Sequence, residues 1–223
     1  MDVLDFGLKP LRDYVPDKAY QVMCQRAQRT LFRDGQALQM QGDEAVRLCL
    51  VVSGAVQLGR FQHDGAFTMV TMLGPGRHFG EVGLHHHAQT HDVYAMGETE
   101  IDLIDAAALE DLLRHQPGFA MGFWRCNTAR LNTLLELYED ARTLTTPQRL
   151  AKLLYLHSGR GHLSEGVACL HRDLAALLGV SQVSIGTAMK ALESLNLVEA
   201  GYRCIIVKDM DRMRSWLRQS GLA

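Results

Sequence analysis

Cysteine is sparse and unpaired in this chain: five residues, at 24, 49, 126, 169 and 204, form no Cys-x-x-Cys pair and no even framework. An iron-sulfur cluster or zinc finger therefore lacks its ligand set, and reduced thiols buried as small apolar groups are expected. No stretch approaches the roughly eighteen uninterrupted apolar residues of a membrane span. The start, MDVLDFGLKP, carries acids where a secretory signal would carry bases, so a cytoplasmic protein with no membrane partner is expected. Catalysis has no foothold either, because no nucleophile and base stand at a recognisable spacing. The lone candidate acid, Glu81, lies in a glycine-punctuated motif, and a non-enzyme is expected.

What the chain does have is apolar content, 47% of 223 residues, enough for one large or two ordinary cores. Its formal net charge of -2 hides an asymmetry: 13 Lys plus Arg face 19 Asp plus Glu up to Leu144, and 10 face 6 beyond it. The acidic first part and the basic second part differ in sign, and a basic part suits phosphate neutralisation.

That basic part contains LHRDLAALLGVSQVSIGTAMK, residues 170–190. Leu174, Ala175, Leu177 and Leu178 make one helical face, and Ile185, Ala188, Met189 and Leu192 make another. Gly179 between them can take the positive φ of a sharp corner, Ala175 lets a second helix cross closely, and Ser181 can cap it. This predicts a helix-turn-helix, whose second helix enters a DNA major groove. The segment LVEAGYRCIIV then predicts a hairpin wing turning at Ala200 and Gly201. Upstream, Thr146 is the expected cap and Pro147 the first residue of a helix reaching His157, followed by a polar loop.

Residues 31–103 read differently, as short β-type runs (CLVVSG, AVQLGRF, FTMVTML, GPGRHFGEVGL, VYAMGETEIDLID) separated by glycines, which predicts an antiparallel roll. A short helix should follow from Ala106 to His115, then a long one from about Phe119 to Arg142. Along the latter, Trp124, Leu131 and Tyr138 recur every seven residues, with Asn127, Leu134 and Ala141 three later. That is an a/d seam, which a second copy of the chain would fill. The fold class expected is α+β: an antiparallel β-roll (1–115), a long dimerisation helix (116–144) and a winged helix-turn-helix (145–223).

With VVSGAV at 51–56, FGEVGL at 79–84, the seam helix and GVSQVSIGTAMKALESLNLV at 179–198 in place, the chain resembles the Crp/Fnr superfamily of bacterial transcription regulators. The resemblance spans nearly the whole sequence. It implies a cytoplasmic homodimer that binds double-stranded DNA, meets RNA polymerase, and is switched by an effector in a cyclic-nucleotide-binding-like roll.

In the cyclic-nucleotide binders the residues matching Gly80 and Glu81 hold the ribose, and an arginine followed by Ser or Thr about ten residues on holds the phosphate. Here those two places fall on His91 and Asp92, and no arginine occurs from His78 to Leu113. Leu134 and Leu135 stand where the cyclic-AMP binders present Thr and Ser. Cyclic AMP is thus an unexpected effector, the effector's identity stays open, and the cysteine cluster of the oxygen-sensing branch is absent. The histidines at 78, 85, 86, 87 and 91 raise a metal- or haem-responsive sensor as an alternative; a small-molecule binder whose winged helix meets protein is another. On the reading helix, Gln182 can read adenine, Val183 and Thr187 can touch a thymine methyl, and Ser181, Ser184 and Lys190 suit phosphates.

Overall fold

The computed structural model describes residues 3–219 apart from Asp5, Ala45, Asp64, His87, 159–166 and Arg203; of His85, His86 and Ala168 only the backbone is described. The chain divides into two compact units whose boundary falls inside the long helix, between Asn132 and Thr133. The first begins at Leu8, and the second also takes in the segment around Leu4 and Phe6.

The first unit is an antiparallel roll built from strands β1 (Gln28–Phe32), β2 (Ala37–Gln39), β3 (Arg47–Phe61), β4 (Phe67–Leu73), β5 (His78–Phe79) and β6 (Asp92–Asp105). The strand order is β1-β6-β3-β4, with β2 paired to β6 and β5 to β3. Strand β3 serves two cores by parity. Leu48 and Leu50 face a cluster with Leu11, Val15, Met23, Ile104, Leu109, Leu112 and Phe119, whereas Cys49 and Val51 face the roll interior with Phe79, Val93, Ala95 and Ile101.

Beyond Val51 the parity flips, because Val56 joins the same interior as Val51. The flip occurs at Gly54, with φ 76°, where the β3–β6 register shifts on either side of Ser53. An extra residue in one strand exchanges the faces of everything after it. Thr99, fully buried, closes the irregularity: its hydroxyl donates to Ala55 O at 2.9 Å and accepts from Ala55 N at 3.2 Å. The runs CLVVSG and AVQLGRF, read as separate strands, are therefore one bent strand. GPGRHFGEVGL is β only at His78 and Phe79; Gly80 then turns with φ 93° into a short helix, α2 (Glu81–His86).

Helices α1 (Asp17–Gln25), α3 (Ala106–His115) and α4 (Pro117–Thr143) complete this part. Asp105 caps α3 by accepting from Ala108 N at 2.7 Å, and Pro117 opens α4. No single helix among the described residues is long and apolar enough to cross a membrane.

The second unit holds α5 (Thr146–Ser158), α6 (His171–Leu178), α7 (Gln182–Ser194), α8 (Met210–Gln219) and a three-stranded sheet of β7 (Val167–Ala168), β9 (Cys204–Val207) and β8 (Val198–Gly201). The α5 cap is Thr145, one residue before the expected Thr146. Gln148 Oε1 reaches back to accept from Thr145 N at 2.9 Å and Thr145 Oγ1 at 2.8 Å, the reciprocal half of a capping box. The polar loop expected after α5 lies outside the described residues. The wing also departs from expectation: Ala200 pairs with Ile205 and Gly201 with Cys204, so both belong to the strand rather than to the turn. Gly201 is needed for close approach, since a Cβ there would lie 2.5 Å from Cys204 Sγ.

Gly54→Ala should cost about 2–4 kcal/mol, because it adds a strained positive φ to a Cβ only 2.4 Å from Glu98 O. Urea unfolding followed by roll fluorescence measures the loss, and an unchanged midpoint would contradict the bulge argument.

Candidate functional site

Two groups of side chains stand out, one in each unit. In the second, α6 ends at Gly179, whose φ of 62° lets Val180 N donate back to Ala175 O at 3.0 Å. The next helix, α7, leaves at 103° to α6, and Ser181 caps it by accepting from Ser184 N at 3.0 Å. Leu174, Ala175 and Leu178 of α6 and Ile185, Ala188, Met189 and Leu192 of α7 are buried as their spacing predicts. The guanidinium of Arg149 on α5 donates to the Leu178 carbonyl, tying the corner to the first helix of the unit.

With that face inward, the opposite face of α7 presents Gln182, Val183, Thr187 and Lys190 to solvent, with Ser184 half-exposed. Val183, 79% exposed, is an apolar side chain held out on a polar face. Thr187 Oγ1 donates to Val183 O at 3.1 Å, which leaves its methyl free to turn outward.

In the first unit, Gly80 and Glu81 sit where β5 turns into α2. A Cβ on Gly80 would lie 2.1 Å from Arg47 O, so only glycine fits. Glu81 Oε1 accepts from Arg130 Nη1, on α4, at 2.8 Å. The same nitrogen donates to His78 O at 3.0 Å and lies 3.0 Å from His78 Nε2. Arginine has no acceptor, so a hydrogen bond to Arg130 uses Nε2 as acceptor, whereas one to Asn127 Oδ1 uses it as donor. Burial pushes His78 down to a pKa of about 4; Glu81 opposes this and Arg130 reinforces it.

His91 and Asp92 are held otherwise. Asp92, buried at the start of β6, accepts from Gln41 N at 2.7 Å, and His91 Nδ1 lies 2.9 Å from Thr90 Oγ1 while its carbonyl accepts from Gln39 Nε2 at 3.1 Å. Burial, then Arg60, push the His91 pKa down, so it is no cation near neutral pH. Of the two arginines that the long helix could send toward the roll, Arg125 and Arg130, it is Arg130 that meets Glu81.

Of the expected seam residues, Asn127 turns to the roll, donating to Phe123 O at 3.0 Å with its Oδ1 3.4 Å from His78 Nε2, because its side of α4 packs on β5. Trp124, Leu131, Leu134 and Tyr138 are exposed, as are Met121 and Leu135. Among the described residues no three His, Cys, Asp or Glu are grouped to hold a metal; the side chains of His85, His86 and His87 lie outside that description.

Residues 29–116 match the cyclic nucleotide-binding domain and residues 148–216 the Crp-like helix-turn-helix domain. The cyclic AMP receptor protein of Thermus thermophilus is 30% identical over 188 residues, covering 82% of this chain and 84% of that protein. A CRP-like cAMP-activated global transcriptional regulator of Mycobacterium tuberculosis is 23% identical over 206 residues, 89% and 92% of the two chains. Among solved structures, the catabolite activator protein of Thermus thermophilus aligns over 96% of this chain and 100% of its own, at 26% identity and a TM-score of 0.52.

The neutral, buried His78 predicts a pH slope. Its folded pKa of about 4 lies below the ordinary 6.5, so the unfolded chain takes up the proton first as pH falls. Stability should drop by up to roughly 3 kcal/mol between pH 6.5 and 4. His78→Gln, which keeps an acceptor for Arg130, should flatten that part of the curve in urea titrations across the window.

Proposed function

The chain belongs to the Crp/Fnr superfamily of bacterial transcription regulators, and on that premise we propose that it is a homodimeric, sequence-specific DNA-binding regulator whose effector is not a cyclic nucleotide. The observation that carries the DNA reading is the capped α7 helix, buried along one face and projecting Gln182, Val183, Thr187 and Lys190 from the other. Gln182 reads adenine by two hydrogen bonds, Val183 and Thr187 meet thymine methyls, and Ser181, Ser184 and Lys190 take phosphates. The work divides along the chain: residues 1–115 sense, 116–144 dimerise and 145–223 read DNA, and the dimer meets RNA polymerase.

Dimerisation is supported by the exposed apolar row on α4, including Trp124 at 69% and Tyr138 at 61% exposure. Two such rows in parallel would bury each other and set two α7 helices about one DNA turn apart, on a palindromic site.

The sensor reading rests on charge. A cyclic phosphate needs a fixed cation, but Arg130 already bonds Glu81, the His91 pKa is pushed down, and Asp92 brings a carboxyl group to the place of a hydroxyl donor. The Thermus and Mycobacterium relatives carry cyclic AMP in their names; the groups gathered here suit an uncharged or hydrogen-bond-donating effector better.

Gln182→Ala should weaken binding to the cognate site by about 1–3 kcal/mol and leave the steep salt dependence of non-specific binding intact. Equal losses on cognate and random duplexes would show that Gln182 does not read a base. Millimolar cyclic AMP or cyclic GMP should leave the melting temperature unmoved, whereas a ligand at a hundred times its Kd stabilises by about 2.7 kcal/mol, a shift of a few degrees. An upward shift that Glu81→Ala removes would identify a working nucleotide site.

A further inference from the structure

The roll holds a cavity of about 440 Å³ that none of Glu81, His91, Asp92 or Arg130 lines. Its walls follow from strand pairing. Gln28, Leu103, Cys49 and Phe79 stand opposite one another across β1, β6, β3 and β5, so their side chains share one face of the sheet. Alternation along β1 brings Thr30 and Phe32 to the same side, and β2 adds Leu38 and Gln39. One polar atom of this wall has no partner. Gln39 is 8% exposed, and its Nε2 donates to His91 O at 3.1 Å. Exchanging the two ends of the amide would set one carbonyl oxygen against another, so His91 fixes its orientation. Oε1 is thereby left buried, with no donor among the described residues. A buried amide oxygen is costly to leave unmatched.

The rest of the lining decides what could meet that oxygen. Phe32, Leu38 and Leu103 give an apolar side. The charged members, Asp43 and Arg47, are exposed and of opposite sign, and burial pushes the Cys49 thiol up to a pKa of about 12, so the interior carries no charge. An ion entering would lose its water without meeting a countercharge. We propose that this cavity binds a small uncharged molecule with an apolar body and an N–H or O–H donor, the donor meeting Gln39 Oε1 and the body lying on Phe32, Leu38 and Leu103. The site adjoins the corner that carries Glu81, since a Cβ on Gly80 would lie 3.7 Å from Gln39 Oε1. Taking the bound molecule as the effector rests on the regulatory reading above; the binding itself does not.

The test is an NMR titration of the full-length, methyl-labelled protein with three probes at millimolar concentration: benzamide, which has a ring and an N–H donor; toluene, which lacks the donor; and benzoate, which carries a charge. Benzamide should shift the Leu38 and Leu103 methyl resonances saturably, and benzoate should not. Gln39→Met, which removes the acceptor at similar volume, should weaken benzamide about tenfold and leave toluene unchanged. Leu103→Phe, which fills the cavity from another wall and keeps Gln39, should abolish binding of both. Benzamide that leaves these methyls unmoved, or that binds Gln39→Met as well as wild type, would overturn the site and leave Oε1 to water. Benzoate binding as tightly as benzamide would overturn the uncharged class. The titration needs neither DNA nor a cyclic nucleotide, so its failure leaves the α7 reading standing, and a failure of that reading leaves the titration interpretable.

Discussion

The guanidinium of Arg130 is the interaction on which the first unit's functional geometry depends. One of its nitrogens lies within 3.0 Å of three atoms, Glu81 Oε1, His78 O and His78 Nε2. Arg130 thereby joins α4 to β5 and α2. Elsewhere on the same stretch of α4, Met121, Trp124 and Leu131 are exposed.

Much of the architecture was legible because local and global signals agree. In residues 170–190 the helical period, the glycine corner, the small Ala175 and the Ser181 cap all indicate the same two helices, and each is found as read. Where signals were thinner the sequence misled by small steps. Two threonines in a row both fit a cap, and only the side chain of Gln148 distinguishes them. Asn127 stands at seam spacing from Trp124, yet its side chain turns to His78, a choice that spacing alone does not make. The bulge at Gly54 leaves a glycine in the sequence but no sign that the faces exchange there.

Other features lie beyond any local reading. Leu4 and Phe6 are two apolar residues among acids near the start, and their partners on α5 lie about a hundred and fifty residues away. No periodicity links them. Arg130 comes from outside the roll: the long helix offers two arginines, Arg125 and Arg130, that could reach Glu81, and only the packing selects the second.

The Gly80-Glu81 pair shows why a motif match stops short of a ligand. In a nucleotide-binding roll those two residues imply a ribose, yet in this chain each has a reason to be there without one. Gly80 lets the backbone pass 2.1 Å from where a Cβ would meet Arg47 O, a constraint of β3 and β5 alone. Glu81 balances the charge of a largely buried arginine, and removing it would strand that cation in a site of low polarity. A fold can retain such residues for packing while the phosphate cation, which serves only the ligand, is free to go. The Gly80-Glu81 match is therefore no evidence of a ribose by itself, since packing and charge balance account for both residues.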